Sequence, residues 1–246
     1  MQVELAATLT TRTRRLPRPH DSLPRWLWLW LPVVVAVLPF VARIGAPATD
    51  RIFYGEFGVL ENLTVLFLVV GVVAGVRIIA GPTAAQAGPF RLWVLLIVLG
   101  AVYFAGEEIS WGQHFFGWGT PEPWARINEQ AETNLHNTSS LFNQLPRALL
   151  TLAALIGGVI MPIWIRSRDL AFTPGSVPAW LWPTMVCLPS AALAVAISWP
   201  GKLLRATGID QRGLDIGPGE TKEALLGLFI MIYLLSLARR VRSAAP

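Results

Sequence analysis

Glu107 and Glu108 stand side by side where an apolar segment ends, and two of the chain's three histidines, His114 and His136, follow in the connecting stretch. Ionisable groups at the edge of hydrocarbon are costly to place, so by default they mark function. Glu107 and His114 are seven residues apart, as are Glu129 and His136. On a continuous helix that separation returns two side chains to nearly the same face, two turns apart. Glu132, four residues before His136, adds a second carboxylate beside the same imidazole. Two chemistries suit this set. His136, Glu132, Glu107 and His114 offer the nitrogen and oxygen donors that zinc, iron or manganese take, so a divalent metal is one expectation. The other is metal-free acid/base work, with Glu107 or Glu108 as general base and His136 as its partner. Gly112 lies between Glu107 and His114 and can break the helix there. The plain alternative is that the glutamates bond to backbone donors or arginines across a bundle and hold the fold.

The elements that position these residues are membrane spans. Of 246 residues, 54% are hydrophobic and 14% charged, and mean hydropathy is +0.53. Globular chains carry about 25% charged residues. The formal charge of +5 does not mark a nucleic-acid binder, because the arginines sit beside the ends of apolar segments rather than on one basic face. The single cysteine, Cys187, lies inside an apolar run and reads as a packing residue. Six apolar runs, about 26–43, 59–79, 92–109, 148–166, 179–199 and 223–238, each approach the length that crosses a bilayer. The fold class is therefore all-α: a polytopic bundle of about six spans over 26–242, preceded by a basic tail over 1–25. A long loop over 110–147 carries the candidate residues. Gly71 and Gly75 form a GxxxG suited to close helix packing, and Pro183 and Pro189 are expected to kink the fifth span.

With both termini cytoplasmic, 12 of the 20 Lys and Arg residues lie inside, close to span ends, and 12 of the 15 acids lie outside. Glu61 then opens the second span and Glu223 the sixth, at the same outer face as Glu107 and Glu108. One shared acidic site explains this better than scattered charge. Arg126, Arg147, Lys202 and Arg205 are the counter-charges on that side. Trp111, Phe115, Phe116, Trp118 and Trp124 read as an interfacial aromatic belt or as a lid over the site.

GEEISWGQ at 106–113 and ETNLHN at 132–137, with LEN at 60–62 and GETKEALLG at 219–227, resemble a group of bacterial multi-spanning membrane proteins of unassigned activity. That resemblance covers the second span to the last and implies the bacterial cytoplasmic (inner) membrane. The paired glutamates with a later histidine are also similar to CAAX-type intramembrane proteases, although no histidine follows His136 and the FxxxH element is absent. The expected function is a hydrolase or transferase acting on a membrane lipid or lipid-linked substrate. The alternatives are a transporter, proton-coupled or assembly subunit, and a CAAX-like protease.

Overall fold

A computed structural model describes residues 23–46, 50–55, 57–81, 88–128, 130–135, 137–170, 172, 176–208 and 218–243. Among them there is helix and no strand, and six helices are long and apolar enough to cross a membrane. They are α1 (Trp26–Gly45), α2 (Val59–Ala80), α3 (Gly88–Glu108), α4 (Leu141–Ser167), α5 (Val177–Leu203) and α6 (Gly219–Ser243). The chain is a multi-pass membrane protein. The basic tail before residue 23 lies outside the described residues.

The helix α6 is the hub. In its most apolar stretch 83% of residues are buried, against 17–39% in the other five spans. It packs most extensively against α2, which in turn packs on α3. Lipid tails are as apolar as leucine, so helices in a membrane associate through close packing at small residues. The GxxxG of α2 supplies that packing on two sides. A Cβ added at Gly71 would lie 3.3 Å from the backbone of Met231, and one at Gly75 would lie 2.3 Å from Val98. Gly158 on α4 does the same work, since a Cβ there would fall 2.4 Å from that of Ala191 and 2.7 Å from Phe229.

The third and sixth spans run longer than the expected 92–109 and 223–238, and two others differ in build. The helix of α4 starts at Ser140, where Ser139 caps it by accepting from Phe142 N at 3.3 Å. Asn143, Gln144 and Arg147 therefore form its first turns instead of closing the loop. The fifth span breaks outright at Trp182–Thr184, around Pro183, between a short helix at Val177–Leu181 and the helix resuming at Leu188. Unwound carbonyls at membrane depth must be satisfied by protein. Arg240 Nη1 donates to Ala179 O at 2.9 Å and Trp182 O at 3.2 Å, and Tyr233 Oη donates to Leu181 O at 2.7 Å. Cys187 is buried, as a packing residue in an apolar run should be.

Candidate functional site

The helix α3 ends at Glu108, and the chain reverses through Ser110, Trp111 and Gly112 with φ of 46°, 56° and 92°. Only Gly112 takes the left-handed region cheaply; Ser110 and Trp111 are held there at a cost. The reversal folds the Trp111 ring back over Gly106, where an added Cβ would lie 2.8 Å from the indole. From there Trp111 Nε1 donates to Glu107 Oε1 at 2.8 Å. The other oxygen of Glu107 accepts from Leu135 N at 2.7 Å. Glu107 thus ties the end of α3 to the loop that follows. The seven-residue spacing does not bring it to His114, because the left-handed turn destroys the helical register on which that expectation stood.

His114 meets Glu132 instead, Nε2 to Oε1 at 3.0 Å. A carboxylate only accepts, so the ring proton on this side sits on Nε2. The segment that delivers Glu132 is stitched to the turn by amides. Asn128 Oδ1 accepts from Gln130 N and Glu132 N, both at 3.0 Å, and Gln113 Oε1 accepts from Thr133 N at 2.7 Å. Ser110 Oγ donates to Glu132 Oε2 at 2.7 Å and accepts from the fully buried Asn134 at 2.9 Å. Asn134 also donates to Glu132 Oε2.

Burial pushes the Glu132 carboxyl up, but the donors Ser110, His114 and Asn134 together outweigh it and hold the group below the ordinary 4.5. A depressed carboxylate contributes stability that is complete above its unfolded value and is lost as pH falls through its folded one. The wild type is therefore expected to lose melting temperature progressively below pH 4.5 relative to Glu132→Gln. Parallel melting curves for the two proteins down the acid range would remove Glu132 as the responsible group. A carboxylate so well held is also a poor proton acceptor and does not suit the part of general base.

At the same end of the bundle a polar cavity of about 250 Å³ opens between α2, α3, α4 and α6. Glu61, Glu108, Glu220 and Glu223 enter it, and Ser110, His114 and Glu132 form one wall. Arg147 from α4 enters among them and pairs with the buried Glu223. Glu61 Oε2 accepts from Phe57 N at 2.9 Å, and Glu220 accepts from Gly55 N at 2.9 and 3.2 Å. Glu108 differs from its neighbours: among the described residues nothing donates a hydrogen bond to it. Of the four glutamates expected to share one site, Glu61, Glu108 and Glu223 line this cavity, whereas Glu107 lines the apolar groove beside it. Arg147 is the expected counter-charge; Arg126 pairs with Glu122 at the surface, and the side chain of Arg205 lies outside the described residues.

His136 and Glu129 also lie outside the described residues. Among those described, no three of His, Cys, Asp and Glu converge as metal ligands. His114 and Glu132 supply two donors, and both oxygens of Glu107 are engaged by Trp111 and Leu135. The aromatic cluster lies where a belt would: Phe116 is largely exposed and stacks on Trp118, while Phe57 packs edge-on to both His114 and Phe115.

Beside the polar cavity runs an apolar groove of about 830 Å³ between α3, α4, the broken α5 and α6. Glu108, Asn143 and Arg147 line both spaces. Asn143 was not singled out in the sequence; its signal is the four-residue spacing to Arg147, which puts both on one face of the first turns of α4. Compared with protein-family models, curated proteins and solved structures, the chain matches none.

Proposed function

We propose that this protein is a membrane-embedded hydrolase or transferase that acts on a lipid or lipid-linked substrate, with its tail in the groove and its head in the polar cavity. The observation that carries this reading is the sharing of Glu108, Asn143 and Arg147 between an apolar and a polar space. An amphiphile has its reactive linkage where head joins tail, and that junction falls beside Glu108. Glu108 is the general base, its carboxylate unclaimed by hydrogen bonds from the described residues. Arg147 orients the head and balances charge that develops there. His114, Glu132 and Ser110 form a fixed wall. His136 retains a proposed role as base partner or ligand of a divalent metal, together with Glu132 and His114. The test is turnover of a total lipid extract by the purified protein in vesicles, read as new products by mass spectrometry and lost in Glu108→Gln.

A second reading, a proton-coupled transporter or subunit, draws on Glu61, Glu108, Glu220 and Glu223 entering one cavity. It expects pH-dependent transport with no lipid product.

The positive-inside pattern supports a cavity at the outer leaflet, and the resemblance noted in the sequence supports the bacterial cytoplasmic membrane as the one crossed. A phosphatase reporter inserted within 120–145 is expected to be active, and one after residue 242 inactive. The reverse pattern would move the substrate to the inner leaflet.

A further inference from the structure

We propose that the apolar groove takes a lipid tail longer than one leaflet is deep, and that Trp93 and Tyr233 form the floor that sets its length. This rests on the reading that the head group lies at the polar cavity. The groove follows α3 from Glu108 at its mouth to Trp93, fifteen residues away on one continuous helix. At 1.5 Å per residue that is about 22 Å. One leaflet of a hydrocarbon core ~30 Å thick is about 15 Å deep. A tail that fills the groove therefore passes the midplane.

The floor is rigid. Trp93 Nε1 donates to Tyr233 Oη at 2.9 Å, and Tyr233 donates in turn to Leu181 O at 2.7 Å. Those two bonds join α3, α6 and the broken α5 at one depth, so the end wall is fixed by hydrogen bonds as well as by packing. The middle of the groove is left open by the backbone. Gly100 lines it, and nothing lies within 4 Å of a Cβ built there.

A tail suits this space better than a helix from a second copy of the chain. A spanning helix needs the whole ~30 Å of hydrocarbon, and the groove is closed short of that. Its mouth also opens on the charged pair Arg147 and Glu223 and on Glu108, which meet a polar head and would meet only apolar flank on a helix.

The test is native mass spectrometry of the protein released from vesicles holding equal amounts of dilauroyl and dioleoyl phosphatidylethanolamine. The wild type is expected to retain the long-tailed lipid over the short by roughly fivefold, the scale that dispersion along a few more enclosed methylenes supplies. Gly100→Phe fills the open stretch and is expected to reverse that preference. Trp93→Ala removes the floor and, in vesicles of dioleoyl and dierucoyl lipid, is expected to retain the longer dierucoyl lipid as well as dioleoyl, whereas the wild type disfavours dierucoyl. An unchanged bias against dierucoyl overturns the floor, and this arm stands if the first variant does not fold. Equal retention of both lipids by the wild type and both variants overturns the length limit but leaves a lipid site in place. A wild type that retains neither lipid overturns the site reading as well. A lipid-free dimer overturns the tail as occupant.

Discussion

Arg147→Ala is expected to destabilise the protein by about 3 kcal/mol, and addition of Glu223→Gln to recover most of that loss. Glu223 is 5% exposed at its side chain and Arg147 40%, so the pair is buried on one side and reached by water on the other. Removing one partner of a buried pair costs roughly 3–5 kcal/mol because the other charge is left uncompensated, and partial access of water puts this case at the lower end. In the double variant no charge is stranded, and a neutral amide remains in a polar cavity that can hydrogen-bond it. Denaturant unfolding in detergent micelles of the four proteins of this cycle gives the coupling directly. A coupling below ~0.5 kcal/mol would place the pair with ordinary surface ion pairs. It would also mean that α4 is held to α6 by its apolar packing alone. The site depends on this link, since α4 brings Asn143 and Arg147 to the mouth of the groove.

The six spans were legible because the bilayer imposes length and composition on any helix that crosses it. What composition hides is which helix lies at the centre. The spans α2 and α6 have mean hydropathies of 2.6 and 1.8 in their most apolar windows, yet α6 is the buried one. Lipid and protein interior are equally apolar, so a buried span carries no polar stripe to betray it. The fainter signal is small and hydroxyl residues, and α6 does bury Thr221 and Ser236 and place Gly227 against the backbone of α2.

At the site, the meeting of Glu61 and Glu223 with one of the paired glutamates followed from topology, because alternate span ends share a membrane face; which of Glu107 and Glu108 enters the cavity did not. The partners within that face did not follow. The pairing of Glu107 with His114 assumed 3.6 residues per turn through a stretch where three successive residues have positive φ. Left-handed backbone at Ser110 and Trp111 is disfavoured locally and exists only because the loop at 128–135 bonds around it. No window of sequence short enough to read for periodicity contains both halves of that arrangement. The buried Asn134 shows the same limit: its place depends on Asn128, Ser110 and Glu132 at once.

Adjacent glutamates should then separate cleanly. Glu107→Gln is expected to lower stability by about 2 kcal/mol, because both its oxygens accept from fixed donors and an amide nitrogen would face one of them. Glu108→Gln is expected to change stability by less than ~0.5 kcal/mol, since no described residue donates to it. Activity should divide the opposite way. Loss of a positioned general base costs roughly 10²–10⁴-fold in turnover, so Glu108→Gln should be nearly inert on the lipid extract. Folded Glu107→Gln, assayed below its melting temperature, should retain activity within about an order of magnitude, because Glu107 lines the apolar groove and not the polar cavity, and is held there by Trp111 and Leu135. The pair is informative because the two side chains differ by one residue and by nothing in chemistry. If Glu108→Gln kept turnover within about threefold of wild type, Glu108 could not be the base, and Glu61 would be the next carboxylate of the cavity to replace. If both variants lost stability equally with no change in turnover, the glutamates would be structural and the enzymatic reading would fall.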